Sequence, residues 1–311
     1  MTQSLSPAGT SEAAPIHAPS APESGQALVV MVMLFGSTLW GLYWLPLRWL
    51  DGAGLGGLWA IALIYVGATA GFAWHAWAQL GLIRSLGRRL VGIGLAAAMT
   101  SIAFGLGMIE GEVARVMILF YLSPIWALVL GLVFLRERLS PVTLPALGLA
   151  LAGALFLLWP NAGGLLGSFA AADLLGLVAG LAFAATNVQL RGGREIPSAL
   201  KNLGACFLTA PIALGLALAG GATLAAPAWA LLASLALGLV WMTAMTAATQ
   251  YGVSRLPLQR SSVLLLFELV VGVVSAALLA GEGLSGRELM GGGCIVLAGL
   301  AVVWQTKPRS A

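Results

Sequence analysis

Hydrophobic residues run along this chain in long blocks, separated by short connections that carry glycine, proline or charge. Ten blocks approach the roughly 20 residues that a helix needs to cross hydrocarbon. They cover approximately Ala27–Trp49, Leu58–Gln79, Leu90–Met108, Glu112–Leu135, Val142–Trp159, Ala172–Leu190, Ser198–Leu218, Ala228–Thr249, Ser261–Ala280 and Glu288–Gln305. Apolar residues fill each block continuously and do not alternate, which excludes a transmembrane β-barrel. The connections, such as Asp51 to Gly54 and Pro160 to Gly164, are too short to fold outside a membrane. Residues 1–26 differ: they are rich in Ser, Ala and Pro, carry no Lys or Arg, and are expected to form a disordered cytoplasmic tail.

Composition agrees with this reading. The chain has 311 residues, of which 60% are hydrophobic and 8% charged. A soluble domain carries roughly 25% charge, so a water-facing surface cannot be assembled here. The net charge of +4 is small and its basic residues are scattered, which argues against nucleic-acid binding. Cys206 and Cys294 both lie inside apolar blocks, so neither a disulfide framework nor a zinc site is expected.

Charge also predicts orientation. With the N-terminus cytoplasmic, the cytoplasmic connections and C-tail hold 12 of the 15 Lys and Arg residues. The opposite side holds Arg48, Arg115 and Arg287, and the positive-inside rule then places both termini inside. Trp49, Trp59, Trp159 and Trp229 fall at the outer ends of spans, where aromatic belts sit.

The chain repeats itself weakly. Glu137/Glu282, Leu139/Leu284, Ser140/Ser285 and Gly148/Gly293 match at a single offset of 145 residues, as 282 minus 137 shows. Two halves of five spans each follow, residues 27–160 and 172–306. Five is odd, so the second half enters the membrane from the opposite side. The expected fold is an all-α membrane protein of ten transmembrane helices arranged as two inverted five-helix repeats, a plan used by secondary transporters.

Several local motifs resemble the drug/metabolite transporter superfamily, specifically its EamA-type exporters. They are Trp40-Gly41, Leu122-Ser123-Pro124 followed by Leu135-Arg136-Glu137-Arg138-Leu139-Ser140, and Phe267-Glu268 with Gly281-Glu282-Gly283-Leu284-Ser285. Leu269 stands where the family often has proline, which removes the sequence reason for a kink there. The resemblance is greatest to bacterial exporters of aromatic amino acids. It implies export of small amphipathic metabolites by alternating access across the bacterial inner membrane.

Candidate binding residues lie inside the spans. Glu268 is central in the ninth block, where a bare charge costs roughly 3 kcal/mol. It must face the bundle interior, find a partner or hold its proton. A substrate-contacting or proton-coupling carboxyl and a structural, hydrogen-bonded one are both open. Trp40, Tyr43 and Trp44 share one helix face at i, i+3, i+4 spacing; the first two are expected to line a cavity and Trp44 to face lipid. Pro124 interrupts the fourth span and frees the Phe120 carbonyl, with Tyr121 and Ser123 as adjacent polar groups. These bind substrate, or Ser123 satisfies the kink. Asn187 in the sixth span hydrogen-bonds a ligand or cross-links helices, the latter being commoner. Trp241 in the eighth span is pocket wall or core. His75 is expected at the interface, and Glu137 and Glu282 as caps of helix ends.

No Walker A sequence, His/Cys cluster, selectivity-filter sequence or hydrolase motif appears, so ATP-driven transport by this chain, a channel and an enzyme lack support. No cofactor or metal is expected. The expected partners are a small-molecule substrate, the bilayer and protons, with no nucleic acid. A multidrug or nucleotide-derivative carrier and a non-transporting membrane scaffold are the alternatives.

Overall fold

The structure, a computed structural model, describes residues 23–135, 143–158, 170–192, 195–256 and 258–305. The tail before Glu23, and Glu137, Leu139 and Ser140 of the repeat motif, lie outside the described residues. Every regular element among the described residues is helical. In chain order they are α1 (Glu23–Gly41), α2 (Trp44–Gly52), α3 (Gly57–Ala76), α4 (Ile83–Glu110), α5 (Val113–Phe120), α6 (Ser123–Leu135), α7 (Thr143–Leu158), α8 (Ala171–Gly192), α9 (Ser198–Ala219), α10 (Ala228–Ala236), α11 (Thr243–Arg255), α12 (Leu258–Ser275) and α13 (Gly286–Gln305). A 3-10 segment, Trp77–Leu82, joins α3 to α4. A π-helical turn, Leu237–Met242, joins α10 to α11, and another, Ala276–Ala280, extends α12.

Among the described residues, six segments are long and apolar enough to cross a membrane. One of them, Gly57–Glu110, has 54 residues. As a straight helix it would be about 80 Å long, far beyond the roughly 30 Å of hydrocarbon. Instead it folds back on itself: a Cβ on Gly57 would meet Ile109 and Leu106, and one on Gly105 would meet Ile61. α3 and α4 are therefore an antiparallel pair. The surface is apolar, with Phe35, Leu232, Val240, Leu278 and Leu297 among its exposed large side chains, while Ser37, Thr209, Ser234 and Ser275 are buried. Such a surface suits lipid and not water, and the chain is a multi-pass membrane protein.

Packing is dense and pairwise. α3 lies along α9 and α7 along α13. α4 contacts α8 and α9, while α1 contacts α11 and α12. α8 also holds α5 and α6, and α3 also holds α10 and its π-helical turn.

Ion pairs gather at the end of the bundle where α2 turns into α3, here termed the distal end. Arg48, after α2's first turn, donates Nε–H to the Met108 carbonyl at 2.8 Å and an Nη2–H to the Gly111 carbonyl at 2.5 Å. The same nitrogen pairs with Glu282 at 2.8 Å, and the guanidinium lies 5.2 Å from the Trp44 ring centre. Glu282, expected as a helix cap, thus spans to the other half of the chain. Nearby, Arg115 meets Asp173 in a two-pronged pair at 2.6 and 2.9 Å, and Asp173 also accepts the Ala170 N–H. At the opposite, proximal end Arg89 pairs with Glu195 at the surface, and Gln250 donates to Asn202 at 2.8 Å.

Glu112 lies beside Glu288, Glu282 and Arg115. Burial first, then the Glu288 charge and a hydrogen bond to its carboxyl, push Glu112 above the ordinary carboxylate range; Arg115 opposes this. Glu288 accepts the Ser285 N–H at 2.7 Å and its hydroxyl at 2.9 Å.

Two outcomes follow. Arg48→Gln leaves Glu282, with 14% of its side chain exposed, facing no cation from α2. The loss is about 2 kcal/mol, below that of a fully buried pair because both side chains keep some exposure; thermal unfolding in detergent should show a lower Tm. Glu112 carries its proton in the folded chain at a pH where the unfolded chain has released it. Stability from this group is therefore lost as pH rises through the folded value. Glu112→Gln should remove that fall, giving a Tm at neutral pH equal to or above the wild-type value and a flatter Tm–pH curve.

Candidate functional site

The first interruption follows from Pro46. Proline has no N–H for the Leu42 carbonyl, and its ring presses on that carbonyl. The chain tightens in response: Tyr43 N–H donates to Trp40 O at 3.1 Å and Leu45 N–H to Leu42 O at 3.0 Å. Tyr43 N–H is the ordinary partner of the Leu39 carbonyl, which is thereby released. Trp241, presented by the π-helical turn, donates Nε1–H to that carbonyl at 3.2 Å. The π-helical turn is the local irregularity that often marks a site.

Side chains around this break point inward. Trp40 meets Tyr43 edge-on, with ring centres 6.1 Å apart. Trp44 corrects the expectation that it faces lipid: it is buried and donates Nε1–H to Ser275 Oγ at 3.0 Å. The i, i+3, i+4 face does turn inward, but the polar partner for Trp44 comes from 231 residues away and is invisible locally.

The second interruption lies where Pro124 was expected to make one. The helix stops at Phe120, turns through Tyr121 and Leu122, and resumes at Ser123. The Phe120 carbonyl, to which Pro124 cannot donate, sits against Gly180 of α8; a Cβ there would come within 2.8 Å. The Phe120 ring packs on Phe104 at 4.8 Å and Phe183 at 5.3 Å. Ser123 is buried and Pro124 half-buried. Tyr121 reaches across to α12, where its hydroxyl donates to the Leu265 carbonyl at 3.1 Å. The same hydroxyl faces the Leu269 amide and the Glu268 carboxyl.

Glu268 thus stands between the two interruptions. On one side is Tyr121. On the other its own carbonyl touches α1, since a Cβ on Gly41 would lie 2.6 Å from it. No Lys or Arg among the described residues pairs with Glu268. Helix α12 runs unbroken through Leu269, in keeping with the missing proline.

Of the sequence candidates, Trp40, Tyr43 and Trp241 meet at the first break, and Tyr121, Ser123, Pro124 and Glu268 at the second. Asn187 stays apart: it is half-buried near the proximal end of α8, and no hydrogen bond among the described residues joins it to either group. His75 is exposed and bonds the Gly71 carbonyl at 2.8 Å.

Sequence reasoning missed a third group. The Tyr43 hydroxyl is buried with no hydrogen-bond partner, facing Tyr65 of α3 and Cys206 of α9. Near Tyr65, the Ser101 hydroxyl on α4 donates to the Ala97 carbonyl at 2.8 Å. These residues come from four places in the chain, and each reads locally as part of an apolar run. No group of His, Cys, Asp or Glu among the described residues is arranged to hold a metal.

No family model matches the chain. It is 28% identical over 224 residues to an uncharacterized transporter of Archaeoglobus fulgidus, a match covering 70% of this chain and 77% of that protein. A solved crystal structure, 19% identical, superposes with a TM-score of 0.58 over 93% of this chain and 100% of the other. That likeness is one of fold alone.

Trp241→Phe keeps the ring and removes the donor to Leu39 O. The expected loss is about 0.6–1 kcal/mol, typical of a hydrogen bond between membrane helices, read as a small drop in Tm in detergent. An unchanged Tm would mean that the released carbonyl finds another donor.

Proposed function

We propose that this protein is a secondary transporter of the EamA type that exports small amphipathic metabolites, amino acids with aromatic ones among them, by alternating access across the bacterial inner membrane. The observation that carries this reading is Glu268: a lone carboxyl deep in an apolar bundle, flanked by two proline-interrupted helices and their aromatic side chains. Intramembrane carboxyls without a cation partner belong to substrate or proton pathways by default. Interrupted helices near the midplane are the usual site builders in inverted-repeat carriers. The similarity to an archaeal transporter supports the same class.

Ten spans in two inverted repeats, residues 27–160 and 172–306, are part of the proposal. The packing supports them. Take α1/α2, α3, α4, α5/α6 and α7 as spans one to five, and α8, α9, α10/α11, α12 and α13 as six to ten. Exchanging the halves turns each main contact into another: α4–α8 into α11–α1, α4–α9 into α10–α3, and α5/α6–α8 into α12–α1. The α3–α9 and α7–α13 pairs map onto themselves. Both termini are cytoplasmic in this reading, on the strength of the 12-to-3 division of basic residues.

In this mechanism Trp40, Tyr43, Trp241, Tyr121, Ser123 and the Pro124 break form the substrate's surroundings, with Asn187 on its path from the cytoplasm. Aromatic faces take the apolar side chain. The Glu268 carboxylate takes the ammonium, and the proton it gives up links substrate to proton movement. The expected partners are therefore amino acids, protons and the bilayer, with no cofactor.

Purified protein in liposomes, offered a panel of twenty labelled amino acids, tests the reading. Saturable transport of bulky members is expected. Glu268→Gln, which mimics the neutral acid, should fold normally and flatten the pH dependence of transport. Wild-type rate and pH profile in that variant would make Glu268 structural. Inhibition by cationic dyes without amino-acid transport would favour a multidrug carrier instead.

A further inference from the structure

The turn that joins α3 to α4 at the proximal end is both apolar and unburied. α3 has 20 residues and α4 has 28. α3 is therefore about 30 Å long, the thickness of the hydrocarbon, and α4 about 12 Å longer. The two helices are level at the distal end, where a Cβ on Gly57 would meet Leu106 and Ile109. The extra length of α4 emerges at the proximal end, as Ile83 to Leu90. Together with the 3-10 segment Trp77–Leu82 it lies at headgroup level, past the hydrocarbon and short of bulk water.

None of the six residues of the 3-10 segment is buried. Trp74 and Trp77 are 84% and 76% exposed, and Leu82 and Ile83 are exposed as well. Rings this bare are not core, and headgroup level is where the amphipathic ring of tryptophan is favoured. Helix α4 continues the pattern with charge. Leu86 packs against the core and Leu90 is buried, so the two mark its inner face. Arg84 and Arg88, one turn apart, project from the opposite face, and both are exposed.

These two arginines lack counter-charge. Between Asp51 and Glu110 the chain has no Asp or Glu. Glu195 is taken by Arg89, and among the described residues no carboxylate pairs with Arg84 or Arg88. A guanidinium fork matches phosphate oxygens. A zwitterionic headgroup brings its own cation to its phosphate, whereas an anionic headgroup leaves its charge to the arginines. A soluble phosphate would meet the arginines and leave Trp74 and Trp77 bare. An anionic phospholipid meets both, with phosphate at the arginines and glycerol and upper acyl chain against the rings.

We propose that Arg84 and Arg88, with Trp74 and Trp77, form a binding site for an anionic phospholipid at the α3–α4 turn. The site goes beyond the exporter reading and does not depend on what the protein carries. In the proposed orientation the lipid belongs to the cytoplasmic leaflet, and it fixes the depth of the α3–α4 hairpin in the bilayer.

The test titrates the full chain, delipidated in a neutral detergent, with phosphatidylglycerol or with phosphatidylcholine of the same acyl chains, and reads bound lipid by native mass spectrometry. Wild-type protein should bind phosphatidylglycerol more tightly. Arg84→Gln and Arg88→Gln should each weaken that binding about fivefold, the usual effect of one basic residue near an anionic surface, and leave phosphatidylcholine binding nearly unchanged. Trp77→Ala should weaken both lipids alike. Arg255, exposed at the same end but stacked over Tyr251 at 3.8 Å, is the control: Arg255→Gln should leave phosphatidylglycerol binding as it is. Because Arg84 and Arg88 are exposed, the lipid-free Tm of their variants should equal the wild-type value. Equal binding of the two lipids, an equal loss in Arg255→Gln, or unaltered phosphatidylglycerol binding in the Arg84 and Arg88 variants would each overturn the proposal. So would a lower lipid-free Tm or failure to fold in those variants, which would make the arginines structural. Displacement of phosphatidylglycerol by millimolar inorganic phosphate would make the site one for a soluble anion and overturn the lipid assignment.

Discussion

Backbone carbonyls in an apolar layer need a hydrogen-bond donor, because no water is present to supply one. This constraint organises the bundle. Pro46 and Pro124 each withhold an N–H within a membrane-spanning stretch, and the chain tightens locally around both. At the first, the disturbance travels three residues back, from the Leu42 carbonyl to that of Leu39, and Trp241 from the other half of the chain supplies the missing donor. At the second, the Tyr121 side chain leaves the break and bonds the α12 backbone at Leu265. Just past the first break, Trp44 bonds Ser275. Breaks that would weaken isolated helices thus become the points where the two halves of the sequence are fastened together.

Close approach makes those bonds possible. Gly41 lets the Glu268 carbonyl come to where any side chain on α1 would stand, and Gly180 does the same for the Phe120 carbonyl. Small residues at helix interfaces are how membrane helices gain contact without a hydrophobic driving force. Here they also set the distance between chemical groups. A methyl at Gly41 would push α12, and the Glu268 carboxyl with it, away from the Tyr43 break. The glycine in Trp40-Gly41 therefore sets how closely α12 approaches the first break.

What was legible in the sequence follows from what is local. Apolar blocks mark the helices because each must be apolar along its own length. Pro124 marks its break because proline acts on the carbonyl four residues before it. Pro46 obeys the same rule but lies near a block end, where Leu45-Pro46 reads as the approach to a loop. Arg48 counts as one outward charge in a tally of basic residues, yet its guanidinium turns back to the Met108 and Gly111 carbonyls and to Glu282. Tyr65, Ser101 and Cys206 carry no local signal at all. Tyr65 and Cys206 come near Tyr43 only once α3 and α9 pack together, and one sequence contains no measure of that convergence. Helix-face arithmetic likewise placed Trp40 and Tyr43 inward and misassigned Trp44, since the face was right and only the buried partner, Ser275, was missing.

The two ends of the bundle are unequally fastened, and that bears on how a carrier of this design would move. At the distal end Arg48 and Arg115 hold carboxylates that are largely sheltered, with several carbonyls completing the Arg48 coordination. At the proximal end the ion pair among the described residues, Arg89–Glu195, has both side chains about half exposed. Exposed pairs contribute little and are screened by salt, whereas sheltered ones resist separation because each partner would be left desolvated. Among the described residues, parting the ion pair therefore costs less at the proximal end, which is cytoplasmic in the proposed orientation. Opening outward between the halves requires that Arg48 release Glu282. An event at Glu268 has a direct mechanical route to that release: α12 carries the carboxyl, contacts α1 at Gly41, holds Trp44 through Ser275, and ends, by way of its π-helical turn, at Glu282 itself.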